Sequence, residues 1–382
     1  MKIFYAKEEI PNIIEQSIFL AGPTPRRDEV QSWRPEALGF LEKKGYNGIV
    51  FVPEPRDGKW HGDYIGQVEW EDKCLNIADC IVFWLPRELS KMPAFTTNDE
   101  WGFWKNTGKC VIGIPKNADK VEYQRYYAKK YQVPIFETLE ETLDSALLKV
   151  KQGSRREGGE KEVPLYIWNT PSFQAWHQAQ KKAGNRLDGA KVEWTFRVGP
   201  QKNFVFFWIL HVNVYIQSEK RNKINEVVLA RPDIAVVVMY KKEEIFNKSH
   251  VVLIREFRSP ASTNDGFIRE APGGSSFKPN KSPLILASDE AFEETGLRIG
   301  SERFRQIESR QLTSTLSSHK AHLFSVAVTD EELQWLHSQK DIPHGVLADT
   351  ERTYVEIYTI EELLNSQSVD WSMLGMIMRA LI

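Results

Sequence analysis

The chain has 382 residues, 41% hydrophobic and 27% charged, enough for two domains with separate cores. Fifty Lys and Arg against 52 Asp and Glu leave a formal net charge of −2, which excludes a global field for nucleic acid or an anionic membrane surface. Three cysteines, Cys74, Cys80 and Cys110, show no metal-type spacing and suggest a reducing cytoplasm.

The opening MKIFYAKEEIPNIIEQ lacks the apolar core of a signal peptide. Five short apolar runs then follow: SIFLA (17–21), GIVFVPEP (48–55), DCIVFWLP (79–86), KCVIGIP (109–115) and VPIF (133–136). Amphipathic stretches such as RPEALGFLEKKG (34–45) and QVEWEDKCLNIAD (67–79) separate them. Strands apolar throughout, alternating with helices, predict a doubly wound parallel five-stranded sheet over 1–150. In such a sheet ligands bind beyond the carboxyl ends of the strands. Thr138 with Glu141 forms a capping box for the last helix.

The charged, Gly-bearing segment 151–163 reads as a linker. PLYIWNTPSFQAWHQAQKKAG then reads as a strand and a short helix. After it, KVEWTFRV, NFVFFWILHVNVYIQ, NEVVLARPDIAVVVMY and SHVVLIREFRSP read as strands, with QSEKRNK (217–223) a polar turn. The longest apolar run, FVFFWILHVNVYI (204–216), is too short for a bilayer and contains His211 and Asn213, so it is expected as a buried strand. Residues 164–382 are expected as a second domain, an α+β or mixed α/β sandwich.

Within it, ILASDEAFEETGLRIG (285–300) places Asp289, Glu290, Glu293 and Glu294 on one helix. Ser282 is the expected N-cap, Pro283 the first helical residue and Gly296 the C-terminal stop. Leu284, Ala287, Ala291 and Phe292 mark the inner face. Glu290, Glu293 and Glu294 share another face, where like charges repel. Such a face suits either solvent or a hard divalent cation such as Mg²⁺.

Together with VVLIREFRSPASTNDGFIREAPGG (251–274), DEAFEETGL (289–297) resembles the Nudix hydrolase family, over roughly residues 164–382. The resemblance implies an α/β/α sandwich with a mixed sheet and Mg²⁺ held by Glu290, Glu293 and Glu294, joined by Glu270. The departures are Asp289 in place of the arginine that orients a metal-binding glutamate, Lys281 near the upstream glutamate, and a loop one residue longer than usual with Gly274 the nearest glycine. The late segment LADTERTYVEIYTIEELL (347–364) offers Glu351 as general base, with Glu356 as rival. The strands before the motif resemble the ADP-ribose pyrophosphatase branch, in which an N-terminal sheet helps form a dimer.

FTTNDEWGFWKNTGKCVIGIP (95–115) raises a second question, because Glu100 stands among Trp101, Phe103 and Trp104. Asn98 is read as a helix cap, with Glu100 in the first turn beyond the strand DCIVFWLP. There a carboxylate either complements the helix dipole or attacks a sugar carbon to form a glycosyl ester. SIFLAGPTPR (17–26), QVEWEDKCLNIADCIVFWLP (67–86) and this stretch together resemble the nucleoside 2-deoxyribosyltransferase superfamily over roughly 15–150. The resemblance implies Glu100 as nucleophile with no cofactor, Asp79 and Glu71 as substrate-side acids, and a sugar or 5′-phosphate near Gly22 and the following loop. Arg26 or Arg27 there suits a phosphate. Phe19 replaces a tyrosine that hydrogen-bonds the nucleophile in relatives.

Both halves thus point at small nucleotides. The expectation is a bifunctional cytoplasmic enzyme, a homo-oligomer by analogy, that binds neither nucleic acid nor membrane. Its first domain would cleave or transfer an N-glycosidic bond, and its second would hydrolyse a pyrophosphate with Mg²⁺. Degradation of NAD through ADP-ribose, or nucleotide sensing, are the alternatives.

Overall fold

The computed structural model describes residues 1–25, 30–59, 62–199, 202–276, 281–346 and 351–382. The chain divides into two compact units, Met1–Leu229 and Ala230–Ile382.

The elements of the first unit are, in order, β1 (Lys2–Tyr5), β2 (Ile13–Ile14), β3 (Ser17–Ala21), α1 (Arg34–Lys43), β4 (Ile49–Val52), α2 (Tyr64–Ile77), β5 (Cys80–Trp84), α3 (Phe95–Trp104), β6 (Cys110–Gly113), α4 (Glu122–Tyr131), β7 (Ile135–Phe136) and α5 (Leu139–Val150). They build a parallel sheet in the order β1-β4-β3-β5-β6-β7. The sheet therefore has six strands rather than the expected five, because KIFY pairs with β4 as an edge. Strands β3, β4, β5 and β6 are buried on both faces, as their unbroken apolar runs require. Phe19, Phe51, Ile81 and Phe83 face α2 and α3, while Ile18, Val50, Val82 and Trp84 face α1 and α5. Thr138 caps α5 by accepting from Glu141 N at 3.3 Å.

The unit does not stop at residue 150. Segment 151–163, expected as a linker, carries β8 (Arg156–Glu157) and a 3-10 turn, Gly158–Glu162. The Arg156 guanidinium is buried and grips Asp79 at 2.7 and 2.8 Å, so the segment is pinned to the sheet. PLYIW is helical, forming α6 (Leu165–Trp168) before α7 (Pro171–Lys182). Then come β9 (Arg186–Val198), β10 (Phe204–Ile216) and β11 (Arg221–Ala230) as a three-stranded sheet. Trp208, Leu210 and Val212 form the buried face of β10, and Trp208 donates to Ser172 Oγ at 2.9 Å.

The second unit continues with β12 (Ile234–Lys241), β13 (His250–Phe257), β14 (Phe267–Glu270), β15 (Gly273–Gly274), α8 (Pro283–Thr295), β16 (Arg305–Gln311), β17 (Lys320–Ala327), α9 (Asp330–Ser338), β18 (Thr353–Thr359), α10 (Ile360–Asn365) and α11 (Trp371–Leu381). Its sheet is mixed: β12 pairs β17 in parallel, and β13 pairs β12, β14 and β18 antiparallel. Leu286, Ala287 and Ala291 of α8 pack with Leu333 and Leu336 of α9 on one side; Ile360 and Leu363 of α10 pack with Ile377 and Leu381 of α11 on the other. An α/β/α sandwich with a mixed sheet results, confined to residues 230–382. Among the described residues no helix is long and apolar enough to cross a membrane.

Candidate functional sites

In the first unit a cavity of about 630 Å³ opens at the carboxyl edge of the parallel sheet. It is lined by the turn after β3 (Gly22), the turn after β4 (Glu54), one face of α2 (Gln67, Glu71) and the start of α3 (Thr97, Glu100). Helix α3 begins at Phe95, with Ala94 at φ 60° ahead of it, four residues before the cap expected from the sequence. Glu100 thus lies in the second turn. Thr97, Glu100, Trp101 and Trp104 recur at three- and four-residue intervals and form the inward stripe. Register along the helix, rather than the dipole at its start, aims Glu100 inward.

Burial pushes the Glu100 carboxyl up to about 8, and the nearby Glu71 carboxylate pushes the same way against the pull of Arg34. Burial also raises Glu71, opposed by its hydrogen bond from Gln67 Nε2 at 2.5 Å and by Arg34. Burial raises both acids, and Glu71 adds to the rise of Glu100, so the cavity favours a proton on Glu100 near neutral pH. Gly22 must be glycine, because a Cβ there would stand 2.4 Å from Trp84 O.

Two of the expected residues stand elsewhere. Asp79 precedes β5 and so lies at the amino edge, opposite the cavity. Its carboxylate is saturated by Ser17 N and Oγ, Leu165 N and both Arg156 nitrogens, and it acts in packing rather than on substrate. Asn98 turns away to accept from Arg87 Nη2 and from Gln124 Nε2, so it caps nothing and lines no part of the cavity. Arg26, with Arg27, lies outside the described residues. Phe19 is a core residue with no exposed surface. Sequence reasoning missed Glu54 and Arg34, although Glu54 directly follows a strand at the ligand edge.

In the second unit a cavity of about 1090 Å³ gathers acids from four elements. Strand β13 brings Glu256, β14 brings Glu270, α8 brings Glu290 and Glu293, and the segment before β18 brings Glu351. Glu294 lies beneath, 2% exposed, and accepts from Gly273 N at 2.9 Å. Oxygens of Glu256, Glu294 and Glu351 lie within 4.8 Å of one another. Burial and the neighbouring acids push Glu290 and Glu256 to about 7, and Glu294 well above the usual carboxylate range. Glu256 Oε2 is buried and lies 2.8 Å from Arg258 Nη2. Gly274 makes room for Glu290, whose Oε1 would stand 2.5 Å from a Cβ there.

Of the expected metal ligands, Glu294 alone joins the tight cluster. Glu290 and Glu293 line the same cavity, and Glu270 is tied to Arg258 at 2.9 Å. Glu351 lines the cavity, whereas Glu356 is engaged by Arg255 and Arg269 at 3.0 and 3.1 Å. Helix α8 has the expected ends, with Gly296 at φ 76°, but Phe292 is exposed and carries Arg298 over its ring. Asp289 and Lys281 meet as an ion pair at 2.7 Å, which joins the segment before α8 to the helix beside Glu290. Glu256 was missed because an acid ending an apolar strand carries no periodic signal.

Residues 15–118 match the family described as Nucleoside 2-deoxyribosyltransferase like. The matched stretch lies within the first unit and contains Gly22, Arg34, Glu54, Glu71 and Glu100. It marks that region as similar to a nucleoside-processing family. No curated protein matches the chain.

Proposed function

We propose that the first unit cleaves or transfers the N-glycosidic bond of a nucleoside or nucleotide. The observation that carries this reading is Glu71 with Glu100, two acids raised by burial in one cavity at the ligand edge of the sheet. Glu100 holds its proton near neutral pH and must first pass it to Glu71; as carboxylate it then bonds to the anomeric carbon while the carbon–nitrogen bond breaks. The bond's electron pair passes to the base nitrogen, and the proton carried by Glu71 neutralises it. Attack by water or by a second base on the glycosyl ester then regenerates Glu100. The test is a panel of nucleosides and nucleotides incubated in EDTA and resolved by mass. Free base should appear with the wild type and vanish in Glu100→Ala; release that survives this substitution overturns the reading.

A second activity has its own support in the second unit. The departures at Asp289 and Lys281 pair with each other, so the helix keeps an ionic brace of reversed sign. Glu256, Glu294 and Glu351, with Glu290 beside them, suit a hard divalent cation, which would ionise the acids and end their repulsion. Bound Mg²⁺ would supply charge neutralisation at a pyrophosphate. The protein's own part is to orient the substrate through the Arg258 side of the cavity and to keep one acid as base. This supports a Nudix-type pyrophosphohydrolase. Release of a monophosphate from nucleoside diphosphate sugars, dependent on Mg²⁺ and lost in Glu294→Gln, is the expected result; its absence would remove the second reading and leave the first.

A further inference from the structure

Glu54 sits between Pro53 and Pro55, whose rings stiffen the chain as it leaves β4. Arg34 Nη1 donates to Glu54 Oε1 at 2.6 Å. The Ser32 hydroxyl lies 2.9 Å from Oε1 and 3.0 Å from Oε2, and its single proton serves one of them at a time. A carboxylate offers about four lone-pair sites, so Glu54 keeps acceptor capacity where it lines the cavity with Glu71 and Glu100.

Arg34 is placed differently. Its guanidinium is 1% exposed, and it donates to Leu20 O at 3.1 Å, Gly22 O at 2.8 Å, Thr24 Oγ1 at 3.1 Å and Glu54. Those bonds tie the turn after β3 to the turn after β4, the two turns that wall the cavity. Arg34 is therefore committed to the protein rather than offered to a ligand. An ion pair this deep costs more desolvation than an apolar pair of the same size, so holding the fold is a poor account of it.

We propose that Glu54 accepts a hydrogen bond from a hydroxyl of the substrate's sugar, with Arg34 and Ser32 as the positioning residues that aim it. The inference rests on the glycosidic-bond reading of the same cavity. A hydroxyl fits where a phosphate does not: it donates to the carboxylate, whereas an anion beside Glu54 is repelled. Glu54 is thus a specificity residue, selecting the sugar while Glu71 and Glu100 act on the bond.

The experiment measures kcat and KM separately for wild type, Glu54→Gln, Ser32→Ala and Glu100→Ala. The substrates are a nucleoside and its analogues lacking the 2′-, 3′- or 5′-hydroxyl one at a time. Arg34 holds the carbonyl oxygen of a glutamine, which turns its amide N–H groups toward the substrate. Glu54→Gln should raise KM roughly 10-fold on the full substrate with kcat nearly kept. On one of the three analogues it should match wild type. Ser32→Ala, which leaves the ion pair intact, should show a smaller change with the same analogue dependence, and it carries the test if Glu54→Gln folds poorly. Equal losses on every substrate, or no change in KM, overturn the role of Glu54 while Glu100→Ala remains dead. Full activity in Glu100→Ala overturns the reading of the cavity, and this inference with it.

Discussion

Replacing Glu100 by glutamine should stabilise the protein, and the gain should grow with pH. The carboxyl titrates at about 8 in the folded chain against an ordinary 4.5. Below about pH 4.5 it is protonated folded and unfolded, and contributes nothing. Between the two values the unfolded chain ionises and the folded one does not, so wild type loses about 1.4 kcal/mol per pH unit. Above about 8 the loss is constant. The interval sets a ceiling of ~5 kcal/mol, and water entry and relaxation on ionisation bring the expected gain to ~1–3 kcal/mol at pH 9. Urea unfolding of wild type and Glu100→Gln at pH 5, 7 and 9 measures it. A difference that stays flat with pH, or a variant weaker than wild type at pH 9, would refute the idea that a strained acid is held in this cavity. A gain in stability joined to loss of activity is the pattern expected of a catalytic group.

Base release in EDTA should follow a bell-shaped pH profile, falling above about pH 8 as the acid pair loses its last proton and falling in acid as both protonate; a flat alkaline limb would remove the shared proton from the mechanism. Mg²⁺ added at pH 7 should bind the second unit and release protons, because Glu256 and Glu290 titrate at about 7 when no cation is present. Calorimetry in two buffers of different ionisation enthalpy reads the protons, and Glu294→Gln should abolish the signal. Charge reversal at Lys281→Glu or Asp289→Lys alone should cut Mg²⁺-dependent activity several-fold, and the double reversal should recover it; a double variant as poor as the worse single one would show that the pair braces nothing. Asp79→Ala leaves Arg156 buried and unpaired, so it should cost about 3–5 kcal/mol of stability while leaving KM unaltered; the opposite result would restore Asp79 to the substrate side.

What could be read from the sequence follows the range of each interaction. The parallel sheet was legible because its strands are apolar on both faces, and α8 because its Pro and Gly ends are local signals. Edge strand β1 was missed because KIFY is half exposed and lacks a continuous apolar run. The false linker has the same kind of cause. Arg156 and Asp79 are 77 positions apart, and a charged segment looks solvated until its partner is known. Asp79 itself could have been excluded from the substrate side, because an acid ahead of a parallel strand stands at the edge where ligands do not bind. The same rule would have found Glu54, which follows its strand.

The two acid groups differ in a way that suits them to the two proposed chemistries. In the first unit the described acids of the cavity face Arg34, which is bonded within the protein, and a proton relieves Glu100 of burial and of Glu71. A shared proton suits departure of a nitrogen base, which needs one as its bond breaks. In the second unit three carboxylates converge from β13, α8 and the segment before β18, and of the three Glu256 is paired with Arg258. One proton cannot satisfy three converging acids, whereas a divalent cation can. Exchanging the roles would fail on charge. A cation at Glu71 and Glu100 would occupy the oxygen that must reach carbon, and a lone shared proton among Glu256, Glu294 and Glu351 would leave nothing to offset the charge of a pyrophosphate.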